Sequence, residues 1–331
     1  MFDRLKGFAT LCAVLAAGAV IASPMNAQDL QQTPREVKIG LILADLSEVR
    51  GAEQAFSADV VLLSTWHDPS LADDLEEVRT LDLGDVWHPT LVILNQRSAS
   101  ASMPEEVTVR PDGTVTYFQR YSGLFSVPMD LREFPMDRQD FYIWLVAPVR
   151  AGARVTLVPD ESMAALRTEN LSISDWSIGE PSLTVMPFQM TPGAPSNPGI
   201  RLTVSGARLL PYYLIQVVIP LLAIVLMGWS VFWIAPSIVP TRVGVLVTTM
   251  LTLIAYRFAL ASQVPRLAYL TRLDWFMAGA TVIVVLALFT MAACAYLIRH
   301  DREAAVNRID RVGRVLYPLS FALYSLIVFL R

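Results

Sequence analysis

The stretch VPTRVGVLVTTMLTLIAYRF, residues 239–258, is apolar enough to cross a membrane, yet it carries four threonines and two arginines. Small, polar and apolar residues recur within it and just after it at spacings of four and three, which place them on one face of an α-helix. This face consists of Gly244, Thr248, Leu251, Ala255, Phe258 and Ser262. A helix that contacted only lipid would gain nothing from such a stripe. The pattern predicts either a seam between packed helices or the lining of a water-filled path.

The chain divides into a water-facing part and a membrane part. Its 331 residues are 54% hydrophobic, above the roughly 45–50% of soluble domains, and the long apolar runs follow Leu209. We place an extracellular domain at 28–207 and a transmembrane domain at 208–331, with spans at about 209–234, 240–262, 273–298 and 314–331. The net charge of −4 is mild and predicts no nucleic-acid partner.

The first 27 residues are typical of a secretory signal peptide. Basic residues precede an apolar run from Phe8 to Ile21, and residues 25–27 offer a small-residue cleavage site. A membrane anchor is the alternative, but the run is short for one. A signal peptide exports the domain that follows, so we expect a multi-pass protein of the cell (inner) membrane. Cytoplasmic arginines between the last two spans agree with this orientation: Arg299, Arg302, Arg308, Arg311 and Arg314.

Residues 28–207 alternate apolar and polar side chains at period two, with many β-branched and aromatic residues. The segments GTVTYFQRYSG (113–123) and DFYIWLVAP (140–148) show this alternation clearly. We therefore predict an immunoglobulin-like β-sandwich of about ten strands, followed by a four-helix transmembrane bundle. Beyond the signal segment the chain has a single cysteine, Cys294, so the sandwich has no intrachain disulfide.

Nothing in the sequence indicates an enzyme. Its three histidines are scattered, and it has neither a metal-spaced Cys/His set nor a Gly-rich phosphate loop. We predict no catalytic residue, no metal ion and no cofactor. A membrane enzyme or sensor with a β-sandwich head is the competing interpretation, and single-channel recording separates it because neither would conduct ions.

Several segments resemble the pentameric ligand-gated ion channels, the Cys-loop receptor superfamily, in the family's order from about residue 36 to 330. The segment PTRVGVLVTTMLTL (240–253) is similar to the pore helix of the glycine and GABA receptors. VPMDLREFPMDRQDFY (127–142) resembles the signature loop, and LGDVWHPTLVILN (83–95) resembles the Trp-x-Pro strand of the extracellular domain. Val127 and Phe141 stand where the loop's two cysteines would be, which resembles the bacterial members.

The resemblance implies a homopentamer in a lipid bilayer, with a central pore for permeant ions that opens when an agonist binds the β domain. The helical stripe then lines the pore, with Leu251 at the central hydrophobic gate and Phe258 at an upper constriction. The resemblance also implies that Pro240, Thr241 and Arg242 are the selectivity residues at the inner mouth.

The charge of the permeant ion is predicted from this inner mouth. Because no carboxylate lies between Ile234 and Asp274, five copies of Arg242 would form a positive collar. We therefore predict an anion (chloride) channel. The alternative is a cation-selective or proton-gated channel of the same family, since in cation channels this arginine points away from the lumen.

The resemblance also implies a set of residues that couple the two domains. Asp137 and Arg208 match a family acid–base pair, and Phe134 and Pro135 lie beside Asp137 in the signature loop. Pro265, in the outer linker, is expected to touch that loop.

The agonist is the least determined feature. Relatives that bind amines use aromatic residues at the subunit interface, where this chain offers Trp66, Phe118, Arg120 and Phe188. No aromatic cage for a cation–π contact is visible, so a primary-amine agonist is doubtful. A proton agonist is the second candidate, acting on carboxylates with shifted pKa values such as Asp45, Glu48, Asp85 or Glu133.

Overall fold

A computed structural model describes residues 34–73, 77–148, 154–163, 171–260 and 267–330. The predicted signal peptide at 1–27 lies outside the described residues. Eleven strands are described between residues 35 and 208, and four long helices between residues 211 and 330. The predicted class, a β-sandwich followed by a four-helix transmembrane bundle, is confirmed.

The sandwich is built from two sheets. The strands are β1 (Arg35–Arg50), β2 (Ala55–His67), β3 (Arg79–Asp82), β4 (Val92–Ile93), β5 (Gln96–Ala101), β6 (Glu106–Val109), β7 (Thr114–Ser126), β8 (Arg138–Val146), β9 (Val155–Pro159), β10 (Trp176–Val185) and β11 (Gly199–Arg208). One sheet has the order β3-β6-β7-β2-β1-β9, with β5 also paired to β7, and the other has the order β10-β11-β8-β4.

Buried apolar residues occupy the two ends of the signature loop. Val127 and Phe141 are both buried in the core between the sheets. The Phe141 ring lies 5.4 Å from the Phe56 ring and 5.2 Å from the Trp176 ring. Aromatic contacts of this kind bury large areas and prefer the tilted or edge-on geometry seen here. The free thiol of Cys294 is buried in the helical part.

Four helices, each long and apolar enough to cross a membrane, form the second part. They are α1 (Pro211–Trp233), α2 (Val239–Leu260), α3 (Arg272–Arg299) and α4 (Glu303–Leu330). The last helix starts at Glu303, before the predicted span at 314–331, because its first turns are rich in arginine and are too polar to belong to an apolar span.

A π-helical turn in α1 helps to fix the outer end of α2. The turn spans Leu214–Val218 and precedes Pro220, which has no N–H to donate. The Tyr256 hydroxyl of α2 donates to the carbonyl oxygens of Gln216 (3.1 Å) and Val217 (2.9 Å) within this turn. Backbone carbonyl groups in the π-helical turn of α1 therefore fix the outer end of α2, the helix that carries Gly244, Thr248 and Leu251.

Candidate pore and gating junction

Helix α2 has one face covered by its own bundle and one face uncovered. The covered face consists of Arg242, Leu246, Thr249, Leu253 and Leu260. The uncovered face includes Gly244, Thr248, Leu251, Ala255 and Phe258, which we call the pore face. Leu251 is 62% exposed and Phe258 is 77% exposed. Ser262, the sixth predicted lining residue, lies outside the described residues.

Gly244 does not serve as a packing seam within the chain. A Cβ atom at position 244 would meet no atom within 4 Å. At Gly279 the same atom would collide with the Tyr324 ring, and at Gly313 with the Phe232 ring. Those two glycines permit close helix contacts, whereas Gly244 faces open space.

The three threonines in the middle of α2 have different surroundings. The Thr249 hydroxyl donates to the Val245 carbonyl, and the Thr252 hydroxyl donates to the Thr248 carbonyl, both at 2.8 Å. Bonds to the preceding turn satisfy these two hydroxyls without any ligand. Only Thr248 of the three belongs to the pore face. About four helical turns, or roughly 21 Å, separate Gly244 from Phe258 along the axis.

Arg242 does not form the predicted positive collar. Its side chain is 2% exposed and turns into the bundle, where Nη2 pairs with the Asp310 carboxylate of α4. Its Nε donates to the Ile234 carbonyl at 3.0 Å. The prediction of an unbalanced charge was wrong because the compensating carboxylate lies 68 residues away in sequence. Pro240 and Thr241, the neighbouring selectivity candidates, are exposed.

Asp137 and Arg208 form a buried ion pair between the β domain and the membrane domain. Arg208 Nε lies 2.9 Å from Asp137 Oδ1, and the two side chains are 6% and 1% exposed. Gln139 Nε2 donates to the other carboxylate oxygen at 2.9 Å. Burial lowers the pKa of the Arg208 guanidinium, but the hydrogen bond and charge of Asp137 outweigh this effect and the net pKa is raised. The Arg208 guanidinium also lies 5.0 Å from the centre of the Phe134 ring.

Backbone hydrogen bonds attach the signature loop to the start of α3. Arg272 donates its N–H to the Arg132 carbonyl at 2.9 Å, and Leu273 donates to the Phe134 carbonyl at 3.3 Å. The peptide between Phe134 and Pro135 is cis. Pro265, the predicted contact of this loop, lies outside the described residues.

Two side-chain contacts at this junction were not predicted. Arg272 Nη2 lies 2.9 Å from Glu133 Oε1, and the Tyr269 hydroxyl accepts a bond from the Leu131 N–H at 3.0 Å. Leu131 and Glu133 lie in the signature-loop segment 127–142, but no spacing rule indicates which side chains before and within α3 they meet. The loop therefore contacts α3 and the residues before it through both backbone and side chains.

The predicted ligand residues do not share one site within the chain. Trp66 is 3% exposed and packs edge-on against Trp87, so it is a core residue and its assignment to ligand binding was wrong. Its position on the inward face of β2 accounts for this burial. Phe118 and Arg120 are exposed on β7, where Arg120 pairs with Asp59 of β2.

Phe188 lines a groove that the sequence interpretation missed. Its ring packs edge-on against Trp144 of β8 at 5.3 Å, and the groove of about 580 Å³ also contacts Arg97 and Tyr142. The Arg201 guanidinium of β11 lies 4.4 Å from the centre of the Tyr142 ring and 4.8 Å from the Trp144 ring. No acidic residue is among the described residues that line this groove, which we call the aromatic groove. Trp144 and Arg201 lie opposite each other on paired strands, a register that the sequence alone does not provide.

An exported β-sandwich is joined to four membrane-spanning helices, and one helix leaves uncovered a face that carries Gly244, Thr248 and Leu251. This arrangement defines a multi-pass receptor channel of the membrane. The family described as "Neurotransmitter-gated ion-channel ligand binding domain" matches residues 23–188, and "Neurotransmitter-gated ion-channel transmembrane region" matches residues 217–306. A similar protein is the "Proton-gated ion channel" of Gloeobacter violaceus, 24% identical over 306 residues that cover 89% of this chain and 82% of that protein. The chain belongs to the pentameric ligand-gated ion channels, and it is not an enzyme.

Proposed function

We propose that five copies of this chain assemble around their α2 helices and form an agonist-gated, chloride-selective channel. The exposure of the pore face carries this proposal, because the opposite face of the same helix is buried in its own subunit. In such a ring, Gly244 and Thr248 face the permeant ion, and the Thr248 hydroxyls replace part of its hydration. Rings of Leu251 and Phe258 close the path by excluding water.

Anion selectivity is supported by the charges at the inner mouth other than the Arg242–Asp310 pair, which is neutral. The pore face carries no charged side chain, and the sequence has no carboxylate between Ile234 and Asp274. The N-terminal end of α2, with exposed Pro240 and Thr241, lies at this mouth, and helix N-termini carry partial positive charge. Five such ends favour an anion over a cation.

Two measurements test the proposed pore. Cysteines placed at 244, 248 and 251 should react with a water-soluble thiol reagent, while one at the buried position 249 should not; Cys294→Ala removes the native buried thiol. Reversal potentials in asymmetric chloride should follow the chloride gradient. A potential that follows sodium would overturn anion selectivity, and thiols that react only with lipid-soluble reagents would overturn the pore itself.

The aromatic groove supports a small carboxylic acid as the agonist. The Arg201 guanidinium already lies over one face of Tyr142 and of Trp144, so an amine cation there would meet a like charge. Arg97 and Arg201 are cationic, and a carboxylate can accept two hydrogen bonds from one guanidinium. Currents from oocytes exposed to a panel of small acids and amines test this proposal. A response restricted to amines would contradict it.

Proton gating is the second candidate. The Gloeobacter relative is named a proton-gated ion channel. In this chain the Glu133–Arg272 pair joins the signature loop to the start of α3, and protonation of Glu133 would remove its charge from the pair. A pH step without any other agonist, applied to the wild-type channel, separates the two candidates.

A further inference from the structure

The Arg242–Asp310 ion pair connects the proposed pore helix to the least buried helix of the bundle. Arg242 lies in the first turn of α2, and Asp310 lies on α4, which exposes Val315, Leu319 and Leu326 along its length. Both charged side chains are almost wholly buried, at 2% and 4% exposure. The charge balance at the inner end of α2 therefore depends on a residue from a different helix.

This pair uses only part of its hydrogen-bonding capacity. Arg242 Nη1 and Asp310 Oδ1 are buried and have no hydrogen-bond partner among the described residues. Guanidinium and carboxylate groups often form two parallel bonds, and buried polar atoms are usually paired. Removing two charges from water offsets most of their attraction, so a buried pair with unused atoms adds little net stability. The arrangement instead indicates a role for the charges themselves.

We propose that Asp310 is a positioning residue for ion selectivity, which acts by neutralising Arg242 and holding it away from the pore mouth. Exposed Thr241 precedes Arg242, and exposed Gly244 follows it by two residues, so the mouth is the nearest open region. An Arg242 side chain without Asp310 is a buried unpaired charge, and its long stem can carry the guanidinium to water. An Asp310 without Arg242 leaves a buried negative charge beside the same turn.

The two single neutralisations therefore have opposite expected effects. Five unpaired Arg242 side chains raise the local anion concentration at the mouth, so Asp310→Asn should raise the chloride-to-sodium permeability ratio. Arg242→Gln should lower that ratio. Each change should be on the order of tenfold, as expected for five unit charges acting through water on one ion. The double variant carries neither charge and should return close to the wild-type ratio.

The experiment measures reversal potentials under a dilution gradient for the wild type, both single variants and the double variant. This inference rests on the proposed pore, but its test uses differences between variants. If the wild type proves cation-selective, the anion proposal fails while the opposite signs of the two shifts are still expected. If both single variants carry smaller currents with an unchanged reversal potential, Asp310 has only a structural role and the inference is overturned.

A variant with exchanged charges tests the inference even if a single variant fails to assemble. The variant Arg242→Asp/Asp310→Arg keeps a buried pair of opposite charges at the same two positions. Because the pair stays neutral as seen from the pore, assembled pentamers should keep the wild-type permeability ratio. A reversed selectivity would show that residue 242 acts on the ion directly. If this variant failed to assemble while the double neutral variant assembled, the pair would act only in packing. Either result would overturn the inference.

Discussion

Arg208 Nε lies 2.9 Å from Asp137 Oδ1, so the last residue of β11 pairs with the signature loop immediately before the chain enters the membrane. Arg208 Nη1 also donates to the Tyr213 hydroxyl in the first turn of α1 at 3.1 Å. One guanidinium thus contacts the loop and the first membrane helix together. A movement of the sandwich relative to α1 must change at least one of these contacts.

Asp137→Ala should give channels that assemble but open poorly. The change leaves the buried Arg208 cation without its carboxylate, which typically costs about 3–5 kcal/mol. The energy is lost at the junction, while the sandwich core and helix packing are retained. Surface labelling and gel filtration measure assembly, and peak current at a saturating stimulus measures opening.

The same loop offers a matched control for this change. Asp130 pairs with Arg132 at 2.7 Å, but both side chains are more than half exposed. Asp130→Ala should change stability by less than about 1 kcal/mol and leave currents near the wild-type level. Equal losses in the two variants, or normal currents from Asp137→Ala, would argue against a coupling role for the buried pair.

Leu251→Thr should give a channel that leaks without a stimulus. Leu251 is 62% exposed on the pore face, and a hydroxyl in place of its apolar side chain lets water wet the narrow part of the pore. The resting current before any agonist measures this effect. Leu253→Ala is the control, because Leu253 is fully buried on the opposite face. It should cost about 2–5 kcal/mol of stability and reduce the amount of assembled protein without producing a leak.

The sequence was sufficient for the features that depend on local periodicity. Alternation at period two indicated the strands, and apolar length indicated four helices. Both patterns are local, because they record which side of each strand or helix is buried. The uncovered face of α2 was likewise visible as a four-and-three spacing from Gly244 to Phe258. Trp66 was misassigned because residue type alone does not distinguish an interface aromatic from a core aromatic.

The sequence could not predict which side chains pair across long distances along the chain. Asp310 lies 68 residues from Arg242, and Arg201 lies 57 residues from Trp144 along the chain. Each pairing depends on how separate helices or strands are placed in space, and no local spacing rule encodes that placement. The charge at the inner mouth was therefore misjudged.

Arg201→Gln should weaken the response to a carboxylic acid by about tenfold or more in the half-activating concentration. The change removes a cation next to the aromatic groove, and a charged hydrogen bond contributes roughly 1.5–3 kcal/mol. It also uncovers the faces of Tyr142 and Trp144, so this variant should gain sensitivity to primary amines. Dose–response curves for one acid and one amine measure both effects.

Arg110 provides the control for this substitution. It is an exposed arginine that follows β6, outside the groove. Arg110→Gln removes the same charge and should leave both dose–response curves unchanged. If it shifted the acid curve as much as Arg201→Gln, the effect would come from the overall charge of the domain and the aromatic groove would lose its support.

Glu133→Gln should move the pH response if protons open this channel. The substitution imitates the protonated carboxyl group, so Arg272 loses its charged partner at every pH. The pH of half activation should rise, and only slightly, because the Glu133 side chain is 60% exposed and exposed pairs contribute only about 0.2–1 kcal/mol. Asp73→Asn is the control, since Asp73 pairs with Arg79 within the β-sandwich at 3.0 Å. A pH response that is unchanged by Glu133→Gln, or shifted equally by both variants, would exclude the junction pair as the proton sensor and direct the search to carboxylates elsewhere in the sandwich.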